Sequence, residues 1–267
     1  MRRIAVLGAS GRMGRMVVGE VLDADDLTLA AAVDRPDSPV LGSDAGTLAG
    51  RSPSGVSLRP LGPGAFGDAE VIVDFSLPHA LRAALPLFGP VALVSGTTGL
   101  DDSTAAALRE HAQVAGVVQA ANFSTGVNVL LDLAERAARA LPDADLEIVE
   151  THHRHKRDAP SGTALALGRR VASARGVDHD AMVDHGRFGD TGPRPPGRLA
   201  YHALRGGDVP GDHTLWLLAD GERISLGHVA TSRRTFALGA LRAARWVASR
   251  PPGMWTMAQV LDLEKSR

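Results

Sequence analysis

The chain has 267 residues, room for one large domain or two ordinary ones at about 150 residues each, with 29 basic and 30 acidic residues, a formal net charge of −1, no cysteine and 4% aromatic residues. Without Cys there is no disulfide framework, thiolate metal site or Cys nucleophile, and the balanced charge gives no bulk attraction to nucleic acid. No apolar run approaches the roughly 18 residues of a membrane span, and the opening Met1-Arg2-Arg3-Ile4-Ala5-Val6-Leu7-Gly8 reaches glycine too soon for a signal-peptide core, so a soluble, cytoplasmic protein with neither nucleic-acid nor membrane partner is expected.

The first half alternates short apolar runs with helical stretches. Ile4 to Leu7 is a continuous apolar run, and Arg12 to Leu22 carries Met13, Val17, Val18 and Val21 at helical period. A second strand runs from Leu27 to Val33 and ends at Asp34; the Gly-, Pro- and Ser-rich stretch from Pro36 to Gly67 then reads as mostly loop. Strands are expected at Val71 to Phe75, Val91 to Val94 and Val117 to Gln119, with helices near Ala80 to Leu87 and Ser103 to Gln113. Such alternation implies βαβ units and a parallel sheet covered on both faces, a doubly wound Rossmann-type α/β fold.

The pattern changes after Asn122. Val127, Leu130, Leu131, Ala134 and Ala138 predict a long amphipathic helix over Thr125 to Leu141, and Leu146 to Glu150 alternates like a half-exposed strand. Leu199 to Leu204, Thr214 to Leu218 and Ile224 to Val229 are strands with no helix between them, which predicts a mixed or antiparallel sheet in a second, α+β domain. Asp184 to Arg198 reads as a long loop, and the last helix spans Thr235 to Ala248. The tail to Leu263 is expected to pack back on the first domain.

Between the first strand and the first helix, Gly8-Ala9-Ser10-Gly11-Arg12-Met13-Gly14 stands where a dinucleotide-binding turn belongs. Glycines permit the tight turn and the approach of backbone N–H groups to a pyrophosphate, which the helix N-terminus then faces. The spacing is Gly-x-x-Gly-x-x-Gly, not the usual Gly-x-Gly-x-x-Gly, and an unliganded tight turn would carry the same glycines. Context favours a cofactor: Asp34, 20 residues past Gly14, ends the second strand where an acid binds ribose hydroxyls, and Arg35 beside it suits a 2′-phosphate. Acceptance of NADH and NADPH alike follows as an expectation. Gly96-Thr97-Thr98-Gly99 follows the fourth strand, its small residues letting the nicotinamide half lie close to the backbone.

The densest chemistry lies in Glu150-Thr151-His152-His153-Arg154-His155-Lys156-Arg157-Asp158-Ala159-Pro160-Ser161-Gly162-Thr163. His152 and Lys156, four apart, can face one pocket, and Ser161, Gly162 and Thr163 open a helix whose hydroxyls and N–H groups suit a carboxylate. Cations on one side and a helix start on the other fit a small dicarboxylic substrate. A solvated basic strand end accounts for the charge but not for Lys: of the basic residues only Lys156 and Lys265 are not Arg, and Lys can be tuned to donate a proton where Arg effectively cannot. A metal site is disfavoured by the adjacent cations and the lack of His-Glu-x-x-His spacing, so no metal is expected.

These blocks, together with Gly-Ser-Asp-Ala-Gly at 42–46 and Ala120-Ala121-Asn122-Phe123-Ser124, occur in the order found in the 4-hydroxy-tetrahydrodipicolinate reductase (dihydrodipicolinate reductase) family, which the chain resembles over essentially its whole length. The resemblance implies a Rossmann-type domain built from 1–123 and 235–267, and an inserted substrate-binding and tetramerisation domain over 124–234. It implies a homotetramer and the NAD(P)H-dependent reduction of (2S,4S)-4-hydroxy-2,3,4,5-tetrahydrodipicolinate to tetrahydrodipicolinate with loss of water, in the diaminopimelate route to lysine. By matching motif, His152 is proton donor or acceptor, Lys156 proton donor, His153 a substrate ligand, and Gly162 with Thr163, helped by Ser161, the carboxylate holder. Gly8, Ala9, Ser10, Gly11, Arg12, Met13, Asp34, Arg35, Gly96, Thr97, Thr98, Ala120, Ala121, Asn122 and Phe123 would line the cofactor site, and domain closure would bring nicotinamide against substrate. Many members carry Glu where this chain has Asp34, which leaves the preference between NADH and NADPH open. A non-catalytic dinucleotide sensor would need the glycine turn but not the His/Lys cluster; another small-acid dehydrogenase would share the architecture.

Overall fold

The apolar run at the amino terminus becomes a central strand of a seven-stranded sheet in the computed structural model, which describes residues 1–263. The last four residues, Lys265 among them, and with them the end of the segment 235–267, lie outside the described residues. The elements in chain order are β1 (Arg2–Leu7), α1 (Arg12–Leu22), β2 (Leu27–Asp34), α2 (Ala45–Leu48), β3 (Leu58–Pro60), β4 (Val71–Asp74), α3 (Pro78–Ala84), β5 (Ala92–Ser95), α4 (Asp102–His111), β6 (Gly116–Gln119) and α5 (Thr125–Ala140). They continue with β7 (Asp145–His152), α6 (Gly162–Ala174), α7 (His179–Met182), β8 (Val183–Asp184), β9 (Leu199–Arg205), β10 (Gly211–Ala219), β11 (Glu222–Ala230), α8 (Arg234–Val247), β12 (Gly253–Trp255) and α9 (Met257–Val260). The chain divides into two compact units, Met1–Thr125 with the segment from Arg234, and Gly126–Arg233. No helix among the described residues is long and apolar enough to cross a membrane.

In the first unit all seven strands pair in parallel, in the order β12-β6-β5-β4-β1-β2-β3. Strand β1 shows why its sequence does not alternate. Ile4 and Val6 join a core with Val17, Val18 and Val21 of α1 and Ala240, Leu241 and Val247 of α8, while Ala5 and Leu7 join the core of Leu81, Leu93 and Leu108 on the other face. A strand covered on both sides gains from apolar residues at every position, each buried Val, Leu or Ile being worth about 1.5–3 kcal/mol. Helix α8 returns to α1 through a forked ion pair in which Arg234 Nε and Nη2 donate to the buried Glu20 at 2.6 and 2.9 Å.

Two segments differ from expectation. The stretch from Pro36 to Gly67 is not only loop: Asp44 caps the short α2, accepting from Thr47 N–H at 2.9 Å, and Leu58–Pro60 adds the edge strand β3 beside β2. Here the apolar Val56 and Leu58 sit among turn residues, too few to register as a period, yet enough to extend an existing sheet edge. The tail likewise forms a strand: Gly253–Trp255 pairs in parallel with Gly116–Val118, completing the opposite edge.

The second unit is a mixed five-stranded sheet in the order β11-β10-β7-β9-β8, with β7 parallel to β9 and antiparallel to β10. Helices α5 and α6 cover one face, where Leu130, Ala134, Leu167 and Val171 pack on Leu146, Ile148, Leu199, Leu215 and Leu217. Alternation along β7 therefore carries Glu150 and His152 onto the helix-covered side with Leu146 and Ile148. The segment 185–198 is without helix or strand, but α7 and β8, unannounced by any strong period, precede it.

Candidate active site

The first unit carries its candidate site at the carboxyl ends of its central strands. Chain order reverses between β1 and β4, the switch point at which open α/β sheets bind ligands beyond the carboxyl ends of their strands. Gly8 turns the chain there at φ +77°, and its N–H donates to Val33 O at 2.9 Å. A Cβ on Gly14 would lie 2.1 Å from Gly8 O, and one on Gly11 3.2 Å from it, so backbone packs directly on backbone through the turn. Asp34 closes the turn from β2, its Oδ2 accepting Ser10 N–H at 2.7 Å and its Oδ1 accepting Arg35 N–H at 2.8 Å. No side chain caps α1 at Gly11, whereas Asp101 caps α4 and Ser161 caps α6. A glycine cradle, an acid clasping it and a helix start left to its own N–H groups fit a dinucleotide pyrophosphate and its ribose.

The candidate cofactor residues Gly96 to Thr98 and Ala120 to Phe123 lie beyond the carboxyl ends of β5 and β6 in the same sheet. Ala9 and Phe123 belong to the core and Thr97 is buried. Asn122 Oδ1 accepts Ser124 N–H at 2.8 Å, holding the Ala120–Phe123 turn. Arg12, Arg35 and Thr98 are exposed, and Arg35 Nε reaches Asp37 at 3.4 Å. Phe75, absent from the sequence-derived set, follows β4 directly: a Cβ on Gly96 would lie 2.3 Å from its ring, and Phe123 meets the ring edge-on at 5.9 Å between centroids.

In the second unit the end of β7 is organised by Glu150, whose side chain is fully buried. Its Oε2 faces His152 Nδ1 at 2.5 Å, Arg205 Nη1 and Nη2 donate to Oε2 and Oε1 at 2.8 and 2.7 Å, and Ser161 N–H donates to Oε1 at 3.0 Å. Facing a carboxylate, Nδ1 carries the proton and Nε2 is the free end of the imidazole. Nε2 lies against Gly211, on the neighbouring strand, where a Cβ would come within 2.9 Å of it. Burial alone would push the Glu150 carboxyl up; Arg205 and His152 outweigh that and hold it below the usual carboxylate range.

Ser161 is spent inside the protein: its Oγ accepts Ala164 N–H at 3.1 Å as the cap of α6 and pairs with His213 Nε2 at 2.9 Å. Gly162, next along, is exposed, and nothing lies within 4 Å of where its Cβ would be. Lys156, its side chain 20% exposed, pairs with Asp158 at 2.9 Å, and a turn from Lys156 N–H to His153 O brings it back beside the strand end. The pKa of His153 is lowered by burial and by the neighbouring Arg233, His152, His155 and Lys156, and its Nδ1 is buried without a hydrogen-bond partner. His213 meets the His152 ring edge-on at 5.1 Å; burial and that neighbour push it down to about 4, so it is neutral at pH 7. Among the described residues, no group of three or more His, Asp or Glu is arranged as a metal site.

His152, His153, Lys156, Gly162 and Thr163 therefore come from one short stretch that runs from the last residue of β7 to the first turn of α6. Glu150 could have been read as an orienting residue from its position, two before His152 on the same strand face. Arg205 and His213 come from β9 and β10, and only the register, with His213 opposite Glu150, brings them in.

Known proteins correspond closely to this chain. The family described as "Dihydrodipicolinate reductase, N-terminus" matches residues 2–123, and "Dihydrodipicolinate reductase, C-terminus" matches residues 126–261. The 4-hydroxy-tetrahydrodipicolinate reductase of Alkalilimnicola ehrlichii is 50% identical over 264 residues, 98% of this chain and 99% of that protein. That of Thiobacillus denitrificans is 48% identical over 98% of this chain and 99% of its own length. Among solved structures, dipicolinate-bound dihydrodipicolinate reductase from Paenisporosarcina sp. TG-14 superposes with a TM-score of 0.74 at 23% identity, covering 97% of this chain and 98% of that one, a likeness of fold.

Two outcomes follow from the Glu150 cluster. Glu150→Gln keeps the shape but presents an amide donor to donors; steady-state turnover is expected to fall at least about tenfold, and unchanged turnover in a folded variant would remove the orienting role. His213, at about 4 when folded against 6.5 for the free side chain, leaves the unfolded chain binding more protons between those values. Stability is therefore full above about pH 6.5 and declines toward pH 4, by on the order of 3 kcal/mol from this group. Urea denaturation of His213→Gln at pH 7.5 and 5 should show a smaller pH difference than the parent; equal differences would contradict the assignment.

Proposed function

The chain belongs to the dihydrodipicolinate reductase family, and from that premise we propose how its residues carry out the reduction. The enzyme reduces 4-hydroxy-tetrahydrodipicolinate to tetrahydrodipicolinate with loss of water, in the biosynthesis of diaminopimelate and lysine. One observation carries the assignment: reductases 48–50% identical align along 98% of a chain that holds both a glycine turn clasped by an acid and a carboxylate-held histidine beside its lysine.

A nicotinamide dinucleotide, when bound, supplies the hydride. We assign its pyrophosphate to the N–H groups of Gly8 to Met13 at the start of α1. Asp34 has one backbone donor on each oxygen, which leaves each a second lone pair for ribose hydroxyls, while the exposed Arg35 alongside suits a 2′-phosphate. Both NADH and NADPH are accordingly accepted. Gly96 to Thr98 and Ala120 to Phe123 line the nicotinamide half, Thr97 and Phe123 through main chain.

The substrate is a dicarboxylate, as is the dipicolinate held by the Paenisporosarcina enzyme. One carboxylate takes the open start of α6 at Gly162 and Thr163, with Ser161 fixing that start and not touching the ligand itself. His153 is assigned to the same molecule. Hydride arrival brings negative charge to a conjugated carbon, and departure of the hydroxyl as water needs a proton. Lys156 donates a proton, and His152, with Nδ1–H held by Glu150, gives or takes one at Nε2.

The enzyme is proposed to be a cytoplasmic homotetramer. Supporting self-association, Trp216, Leu218 and Val229 share the sheet face opposite α5 and α6, and Val229 is 66% exposed. Light scattering should give about four times the 27.8 kDa chain mass; a monomer in dilute buffer would contradict it.

The decisive assay is steady-state NADH oxidation with freshly generated 4-hydroxy-tetrahydrodipicolinate. Lys156→Ala should lower turnover by about 100-fold or more with NADH affinity nearly intact; wild-type-like turnover would remove the role of Lys156. NADH binding without any oxidation by the unaltered chain would instead favour a dinucleotide sensor.

A further inference from the structure

Asp74 plays no part in the chemistry above, yet its burial is complete. It ends β4, the strand that flanks β1 at the switch point. Its Oδ1 accepts the N–H of Ser76 at 2.9 Å and the hydroxyl of Ser76 at 2.5 Å. Its Oδ2 accepts the hydroxyls of Ser95, which ends β5, at 2.7 Å, and of Thr97, in the loop beyond, at 2.8 Å. Its carbonyl accepts Gly96 N–H at 2.8 Å. One carboxylate thus gathers three hydroxyls and a backbone N–H from the carboxyl ends of two adjacent strands.

Stability is a poor reason for such a group. Val73 and Val94 fill the same sheet one residue earlier, and a buried carboxylate is costly even when fully hydrogen-bonded. Burial pushes the Asp74 carboxyl above the usual range against the pull of Ser76, Ser95 and Thr97. What the arrangement provides is geometry. It turns the Thr97 hydroxyl into the protein, where Thr97 N–H also donates to Ser95 Oγ at 3.4 Å, so the loop is held through side chain and main chain alike. It also fixes the residue after β4: Phe75 N–H donates to Leu7 O at 3.2 Å, its carbonyl lies 2.9 Å from where a Cβ on Gly8 would be, and its ring packs on Gly96.

We propose that Asp74 is a positioning residue of the dinucleotide site, holding Phe75 and the Gly96–Thr98 main chain in register with the glycine turn as the surface on which the nicotinamide half lies. It touches no ligand itself. The proposal rests on the dinucleotide reading of this unit.

The test compares the full-length chain with Asp74→Asn, Thr97→Val, which removes one hydroxyl at constant shape, and Thr97→Ser, which keeps it. NADH affinity is read by nucleotide fluorescence, and KM is measured separately for NADH and for the tetrahydrodipicolinate precursor. Asp74→Asn and Thr97→Val should each weaken NADH binding at least about fivefold and raise the KM for NADH by a similar factor. The KM for the precursor should stay within about twofold, and Thr97→Ser should restore parental behaviour. If Asp74→Asn fails to fold, the Thr97 pair decides. Unchanged NADH affinity in Thr97→Val, or a precursor KM that rises in step with that of NADH, overturns the proposal alone. Failure of the unaltered chain to bind NADH overturns the dinucleotide reading and the proposal together.

Discussion

Burying Glu150 on the helix-covered face of β7 obliges the protein to bring donors to it, because an unpaired carboxylate there would cost several kcal/mol. The donors come from three places: the imidazole of His152 on the same strand, the guanidinium of Arg205 at the end of β9, and the backbone N–H of Ser161 at the start of α6; His213 of β10 closes the group through the Ser161 hydroxyl. Three strands and a helix are thereby pinned at one point. The same contacts leave Nε2 of His152 as the ring's free end and fix where α6 begins, so the proposed acid–base group and the proposed carboxylate holder share one anchor. Loosening that anchor would disturb both functions at once.

The dinucleotide unit solves a different problem with the same means. The proposed dinucleotide contacts are mainly main chain, and main chain must be held in place by something other than the ligand. Asp34 does this for the glycine turn and Asp74 for the loop after β5, each accepting N–H or O–H groups from the segment it steadies. Glycine is required where segments touch without side chains, as at Gly14 against Gly8 and Gly239 against Phe123, where a Cβ would lie 1.8 Å from the carbonyl oxygen.

Much of this was legible in the sequence because it follows from period and punctuation. Uninterrupted apolar runs marked the parallel strands, the 3.6-residue period marked α1, α5 and α8, and Pro160 before Ser161 marked the start of α6. The candidate chemistry-bearing residues stand in continuous segments, which is why a sequence reading can single them out. What escaped was either short or remote. β3 and β12 are three residues each and owe their conformation to a sheet edge already present. Arg205 and His213 reach Glu150 from 55 and 63 residues away, through pairing register that no local pattern encodes. The scarcity of lysine pointed to Lys156, and the structure adds Asp158 as the partner that steadies its ammonium group.

The parallel sheet of the first unit takes its last strand from Gly253–Trp255, beside β6, and its covering helix α8 from beyond the inserted unit. The order of synthesis therefore runs against the order of assembly. When residues through Gln119 have left the ribosome, β6 is an unpaired edge and the α8 side of the core is bare, and both stay so until more than a hundred further residues have been made. Unpaired edges and uncovered apolar faces are what aggregation starts from. The nascent chain must carry that liability through the making of the whole inserted unit, and a chain cut short before Gly253 would carry it permanently.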